Sequence, residues 1–169
     1  MTASPDDLFA YLTARNIAHT TYWHEPIFTV EEGRDLKAAM PGGHTKNLFL
    51  KDKEGTIVLV AAEAQSHLRL NKLHKLIGTR RLSFGTPELM QEVLGVTPGS
   101  VTAFALMNDT ENRVRFLVDA ALLAHDPINF HPLTNTGTTA ISRADFETFV
   151  QSTGHDFEIV DFSHLPDKS

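Results

Sequence analysis

Seven consecutive residues, Thr56-Ile57-Val58-Leu59-Val60-Ala61-Ala62, contain no polar alternation after the first. A run of that length with a β-branched centre fits a strand covered on both faces, so the chain must place packing layers on each side of a sheet. Just upstream lies Gly42-Gly43-His44-Thr45-Lys46-Asn47-Leu48-Phe49-Leu50-Lys51, and Asp52-Lys53-Glu54-Gly55 between the two reads as a turn. The two segments predict a hairpin. Period-two alternation puts Lys46, Leu48 and Leu50 on one face of the first strand and Asn47, Phe49 and Lys51 on the other. A lysine sharing a face with two leucines reaches water, finds an acid, or lines a cavity where its charge meets a ligand.

The flanking segments supply further elements. Ser4-Pro5-Asp6-Asp7 predicts a capped helix to about Asn16, and His19 to Trp23 a short strand. Thr29-Val30-Glu31-Glu32 fits a capping box for a second helix ending near Met40, before Pro41-Gly42-Gly43. Asn71 to Ile77, closed by Gly78, reads as a short basic helix, and Arg80 to Phe84 as a strand. Thr86-Pro87-Glu88 caps a helix to Leu94, after which a turn-rich loop leads to an expected strand at Phe104 to Met107. Arg113 to Val118 alternates as a strand, followed by a helical turn or two over Asp119 to Leu123. Ile128 to Ile141 predicts two short strands around a hydroxyl-rich loop. Ser142 caps a further helix, and Phe157 to Phe162 forms the closing strand. The whole predicts one α/β (mixed α+β) domain over residues 1–169.

Composition removes several function classes. With 169 residues and 41% hydrophobic content the chain can bury one substantial core. Zero cysteines exclude disulfides, thiolate metal sites and a cysteine nucleophile. No apolar run approaches the roughly 20 residues of a membrane span, and the N-terminus lacks a signal pattern, which points to a soluble, cytoplasmic protein. The net charge is −6, but residues 46–81 carry +5 and the remainder −11. Such a basic region either solvates surfaces or guides a phosphate backbone to a defined place. The G-x-S-x-G elbow, the P-loop, G-x-G-x-x-G and H-E-x-x-H are all absent, and the nine histidines form no metal set by spacing. The remaining candidates for chemistry are Lys46, Asn47, His131, the threonines after it, and loop amides.

Four segments together carry a resemblance: Gly43 to Leu50, the helix Asn71 to Gly78, the loop Gly95 to Thr102, and Phe130-His131-Pro132 with Asn135. In this order the chain resembles the free-standing relatives of the editing (insertion) domain of bacterial prolyl-tRNA synthetase, and among them the alanyl-tRNA(Pro) deacylases. The resemblance implies a mixed, strongly curved sheet of about seven strands surrounded by short helices. It also implies a hydrolase without metal or cofactor that cleaves the ester between a wrong amino acid and the terminal adenosine of tRNA(Pro), with prolyl-tRNA synthetase as a candidate partner. Lys46 falls where that family has its essential pocket lysine, and Asn47 and His131 where the alanine-specific members shape the side-chain site.

The family's Gly-x-x-x-Pro loop corresponds to Gly99, Ser100, Val101, Thr102 and Ala103, with alanine in place of the final proline. Lys72, Lys75, Arg80 and Arg81 are the expected tRNA contacts. Deacylation of cysteinyl-tRNA(Pro) or another small mischarged aminoacyl-tRNA, and a noncatalytic tRNA- or synthetase-binding module, are the alternatives.

Overall fold

The computed structural model describes residues 3–26 and 38–164. The expected capping box at Thr29 and most of the helix behind it lie outside the described residues.

Four of the helices among the described residues form where the sequence supplies their ends. In α1 (Pro5–Ala14) the Ser4 hydroxyl accepts from the Asp7 amide at 3.2 Å, and the Asp7 carboxylate accepts from the Ser4 amide at 2.8 Å. Such a reciprocal cap is worth about 1 kcal/mol. Helix α2 (Leu70–Ile77) stops at Gly78, whose φ of 76° is one that glycine adopts without strain. Helices α3 (Pro87–Leu94) and α4 (Arg143–Ser152) are capped by the Thr86 and Ser142 hydroxyls. None of the described helices is long and apolar enough to cross a membrane.

The strands are β1 (Thr20–Trp23), β2 (Gly43–Lys51), β3 (Ile57–Glu63), β4 (Ser83–Phe84), β5 (Val114–Asp119), β6 (Ile128–Phe130), β7 (Gly137–Ile141) and β8 (Phe157–Val160). They form one mixed eight-stranded sheet in the order β1-β7-β6-β2-β3-β5-β8, with β4 added on β2. The expected hairpin is present: β2 and β3 pair antiparallel from Thr45↔Glu63 to Lys51↔Ile57. The Asp52 carboxylate closes its turn by accepting from the amides of Glu54 and Thr56.

The unalternating run does divide between two layers. Ile57, Leu59 and Ala61 pack with Phe49, Phe104, Phe116, Phe130, Phe146 and Phe149 on one face. Val58, Val60 and Ala62 pack with Leu50, Leu73, Ile77, Leu117 and Phe162 on the other, beneath α2. Each fully buried side chain of this size contributes about 1.5–3 kcal/mol.

Three local expectations are corrected. The segment read as a strand at Phe104 to Met107 is a 3-10 helix, Ala103–Asn108, because the Thr102 hydroxyl accepts from the Phe104 amide and caps it. The strand expected from Arg80 shrinks to Ser83–Phe84, which pairs with Leu50 and Lys51 of β2 and is followed by a bond from the Gly85 amide to the Phe49 carbonyl. The closing strand ends at Val160 and gives way to a 3-10 turn, Phe162–His164.

Candidate active site

Strand β2 joins the two halves of the sheet unevenly. It pairs with β6 through Gly43↔Ile128 and His44↔Asn129 alone, then diverges, and with β4 only at Leu50 and Lys51. Between these points, from Thr45 to Phe49, no strand among the described residues covers the outer edge of β2. In the β2–β3 register, Ala64 donates to the His44 carbonyl, so His44, Lys46 and Leu48 direct their backbone groups to β3. The backbone groups of Thr45 and Asn47 therefore face the opening.

Lys46 and Asn47 project to opposite faces of the sheet. Asn47 shares the face of Phe49 and Phe130, on which Val96, Val101 and Ala103 of the glycine loop also pack. The Thr45 hydroxyl donates to the Asn129 carbonyl at 2.8 Å, so it can only accept from the Asn47 Nδ2 at 3.2 Å. That orients the amide: Asn47 Oδ1 is the free acceptor, buried and without a partner among the described residues. A buried acceptor left in this state costs about 1–3 kcal/mol.

Lys46 lies on the other face, half-buried, and its Nζ donates to the Ser66 carbonyl. The Ser66 hydroxyl in turn donates to the buried Asp119 carboxylate at 2.5 Å. A cavity of about 340 Å³ adjoins this anchor, lined by Ser66, His67, Arg69 and Asp119 among others, at the C-terminal ends of the parallel strands β3, β5 and β8.

His131 follows β6 directly. Continuing the β2–β6 register by parity assigns it the face of Lys46. Its Nδ1 lies 3.0 Å from the Gly137 carbonyl, which can only accept, so Nδ1 carries the proton and Nε2 is an acceptor. Burial pushes the His131 pKa down; the bond to Gly137 opposes this in part, and His24 nearby lowers it further. The His24 Nδ1–H donates to the Glu25 carbonyl at 2.8 Å, and its Nε2 lies 2.8 Å from the Thr138 hydroxyl.

The loop from His131 to Gly137 rounds the end of the sheet and reaches the glycine loop. Gly99 sits at φ 95°, and a Cβ placed on it would lie 3.8 Å from Asn135 Nδ2. Left-handed backbone, rather than lack of space, is what requires glycine there. Ser100, Thr102 and Ala103 are buried, and the Ser100 amide donates to the Thr97 carbonyl in the loop's turn. Leu133 adopts φ 67°, a conformation costing a leucine about 1–3 kcal/mol and found where function holds a loop in place.

The described residues contain no group of three His, Cys, Asp or Glu side chains that could hold a metal ion. This arrangement places Asn47 and the Gly99 to Ala103 loop on one side of the opening in the sheet, and Lys46 and His131 on the other.

A model of the aminoacyl-tRNA editing domain matches residues 24–149. The chain belongs to that family. This editing domain is 37% identical over 158 residues to the prolyl-tRNA synthetase associated domain-containing protein 1 of Danio rerio, covering 92% of this chain and 86% of that one. It is 30% identical over 155 residues to the prolyl-tRNA editing protein ProX of Acetoanaerobium sticklandii, covering 91% and 94%. A crystal structure of a protein proposed as a trans-editing enzyme for prolyl tRNA synthetase superposes with a TM-score of 0.72 at 19% identity, over 99% of both chains, and so shares the fold.

The expected tRNA contacts lie on α2 and on the segment that follows it, and His74 of α2 lines the same cavity as Arg80 and Arg81. Arg80 and Arg81 line a cavity of about 680 Å³ together with Lys53, Glu54, His74 and Thr79. Lys75 is exposed on α2 and Lys72 half-buried, and neither lines that cavity. Arg80 is already paired with Glu54 at 3.0 Å. Sequence reasoning missed His24, Thr45 and Thr138. The available signal was a histidine ending an aromatic strand two residues before Pro26, a position at which a side chain points out of the sheet into whatever follows.

Proposed function

We propose that this protein is a single-domain trans-editing deacylase that hydrolyses alanyl-tRNA(Pro) and spares prolyl-tRNA(Pro). The observation that carries the reading is the opening along β2, where Asn47 has a buried acceptor without a partner among the described residues, on the sheet face against which the glycine loop packs. An α-ammonium group or a ribose hydroxyl is the kind of donor such an atom requires. Family membership and the names of the relatives support aminoacyl-tRNA as the substrate and prolyl-tRNA synthetase as the partner.

A synthetase pocket shaped for proline cannot strongly reject alanine, because a missing methylene is worth only about 1–3 kcal/mol. A second, smaller pocket can, since it excludes proline sterically and admits the error. The ester is already activated, so a water oriented against its carbonyl carbon suffices. The water oxygen bonds to that carbon, the bond to the ribose oxygen breaks, and the water's proton passes to the departing ribose oxygen. Free alanine and tRNA are the products.

Lys46 exchanges its Ser66 carbonyl for the terminal phosphate or the ester and favours negative charge on the carbonyl oxygen. Amides between Val101 and Ala103 donate to the same oxygen or to the ribose. Asn47 and His131 bound the alanine methyl, and the His131 Nε2 is an acceptor suited to orienting the water. Lys72, Lys75, Arg80 and Arg81 meet phosphates of the acceptor stem.

The test is hydrolysis of labelled alanyl-, prolyl- and cysteinyl-tRNA(Pro) by the wild type and by Lys46→Ala and Lys46→Arg. Rapid loss of alanine alone, abolished by Lys46→Ala, supports the proposal. Preferential loss of cysteine shifts the specificity to a different small side chain. Saturable binding without acceleration of any of the three leaves a noncatalytic tRNA-binding module. Near-normal rates in both lysine variants remove the lysine's role.

A further inference from the structure

Trp23 is the only tryptophan in the chain, and it is 60% exposed at the end of β1. A single exposed aromatic is ordinary on a protein surface, and what sets this one apart is that its ring is held in place. The Trp23 ring is held on two sides. Phe9 of α1 meets it edge to face, with centroids 6.0 Å apart at 83°. Gly137 lies opposite it in the β1–β7 register, and a Cβ added there would stand 3.0 Å from the Trp23 Cε3 and 3.2 Å from Pro132. Any larger residue at 137 would displace the indole.

Gly137 is also the residue whose carbonyl accepts from His131, and Pro132 is the next residue in the chain. The indole thus rests on the backbone that fixes the candidate active-site histidine. Apart from Tyr22, which strand alternation turns to the opposite face, its neighbours in sequence and register are polar or small: His24, Thr136, Thr138 and the Asn135 loop. An apolar protein partner would find a single ring here rather than a patch.

We infer that Trp23 is a stacking platform for an unpaired nucleobase of the tRNA 3′ end, seating the terminal nucleotides as the aminoacyl ester enters the opening beside Asn47. This inference rests on the tRNA substrate proposed above. A flat, preorganised, half-exposed ring bordered by hydrogen-bonding groups suits a single-stranded base, which offers a π face whatever its sequence. Stacking of one base on an aromatic side chain is worth about 1–3 kcal/mol, or roughly 5- to 150-fold in affinity.

Because the tryptophan is unique, its fluorescence reports the contact directly. The full chain is titrated with a fluorescently labelled uncharged acceptor-stem minihelix carrying its unpaired 3′ tail, and with the same duplex trimmed of the tail. Label anisotropy follows binding while indole emission is read in parallel. The tailed RNA is expected to quench the indole and the trimmed one to leave it unchanged. Trp23→Phe should retain binding, and Trp23→Ala should weaken it at least five-fold, raising KM for alanyl-tRNA(Pro) more than it lowers kcat. RNA binding with unquenched indole, equal quenching by trimmed RNA, or unchanged affinity in Trp23→Ala overturns the stacking and leaves the deacylase reading intact. Absence of binding by either RNA overturns the stacking together with the tRNA reading.

Discussion

The His131 Nδ1–H donates to the Gly137 carbonyl across 3.0 Å, which fixes the proton of the neutral imidazole on Nδ1 and leaves Nε2 an acceptor. Burial, reinforced by His24, holds its pKa below the ordinary 6.5. Between the folded value and 6.5 the unfolded chain binds more protons than the folded one, so stability rises with pH in that window and is lost on acidification through it. The urea midpoint should therefore fall from pH 7.5 to 5.5 more steeply in wild type than in His131→Gln. Parallel slopes in the two proteins would show that another group governs the acid limb. Deacylation should hold through that window and decline below it, where the pH passes the lowered folded value and the acceptor nitrogen is protonated.

Asn47 offers a separation of stability from activity. Its Oδ1 has no protein partner among the described residues, so Asn47→Ala removes an unmet acceptor along with the single bond to Thr45. The melting temperature should stay within a few degrees of wild type, while kcat/KM for alanyl-tRNA(Pro) falls about 5- to 150-fold, the equivalent of about 1–3 kcal/mol. A large loss of stability with activity per folded molecule preserved would make the residue structural instead.

The basic residues predict a salt signature. Each phosphate contact removed lowers the slope of log affinity against log salt by about 0.7 to 0.9. Lys72→Glu with Lys75→Glu should raise KM and flatten that slope, and Arg81→Ala should do so independently. Arg80→Ala should do less, because the Glu54 carboxylate already occupies its guanidinium. Unaltered slopes in all three would put the tRNA on another face.

Far from the opening, Asp109 accepts from the amides of Arg113 and Val114 and from His155 Nε2 at 3.0, 2.9 and 2.8 Å. Both side chains of the His155–Asp109 pair are 1% exposed. Removing the carboxylate strands an imidazole and two amides in the interior, so Asp109→Ala should lose about 3–5 kcal/mol in urea unfolding. His155→Ala should lose less, since the two amides keep their acceptor. Equal losses would mean that the bond to His155, not the turn, dominates.

Local chemistry made most elements legible. Ser4-Pro5, Thr86-Pro87, Gly78 and Gly95 all end helices where they are expected to, because caps act over a few residues. The run at residues 56–62 announced two packing layers for the same reason that its side chains alternate between them. Phe104 to Met107 misled because a short apolar run has no period of its own, and the Thr102 hydroxyl decided for a helix. Of the site, Lys46, Asn47 and His131 were found from residue type and resemblance. The division of Lys46 and Asn47 between two faces was already in the period-two pattern, whereas the face of His131, the orientation of the Asn47 amide and the involvement of His24 depend on pairings between residues more than 80 apart, which no local pattern encodes.

The two register pairs that join β2 to β6 have a consequence for how such a protein changes its tastes. Gly43 makes that junction possible: a Cβ there would stand 2.6 Å from the Cβ of His125, and the Gly43 amide donates to the Pro127 carbonyl at 2.9 Å. The point at which β2 parts from β6 is thus fixed by a clasp at residues 43, 125 and 127. A descendant of this chain could acquire a roomier or narrower sieve through residues 42, 43, 125 and 127, leaving every side chain that lines the gap as it is.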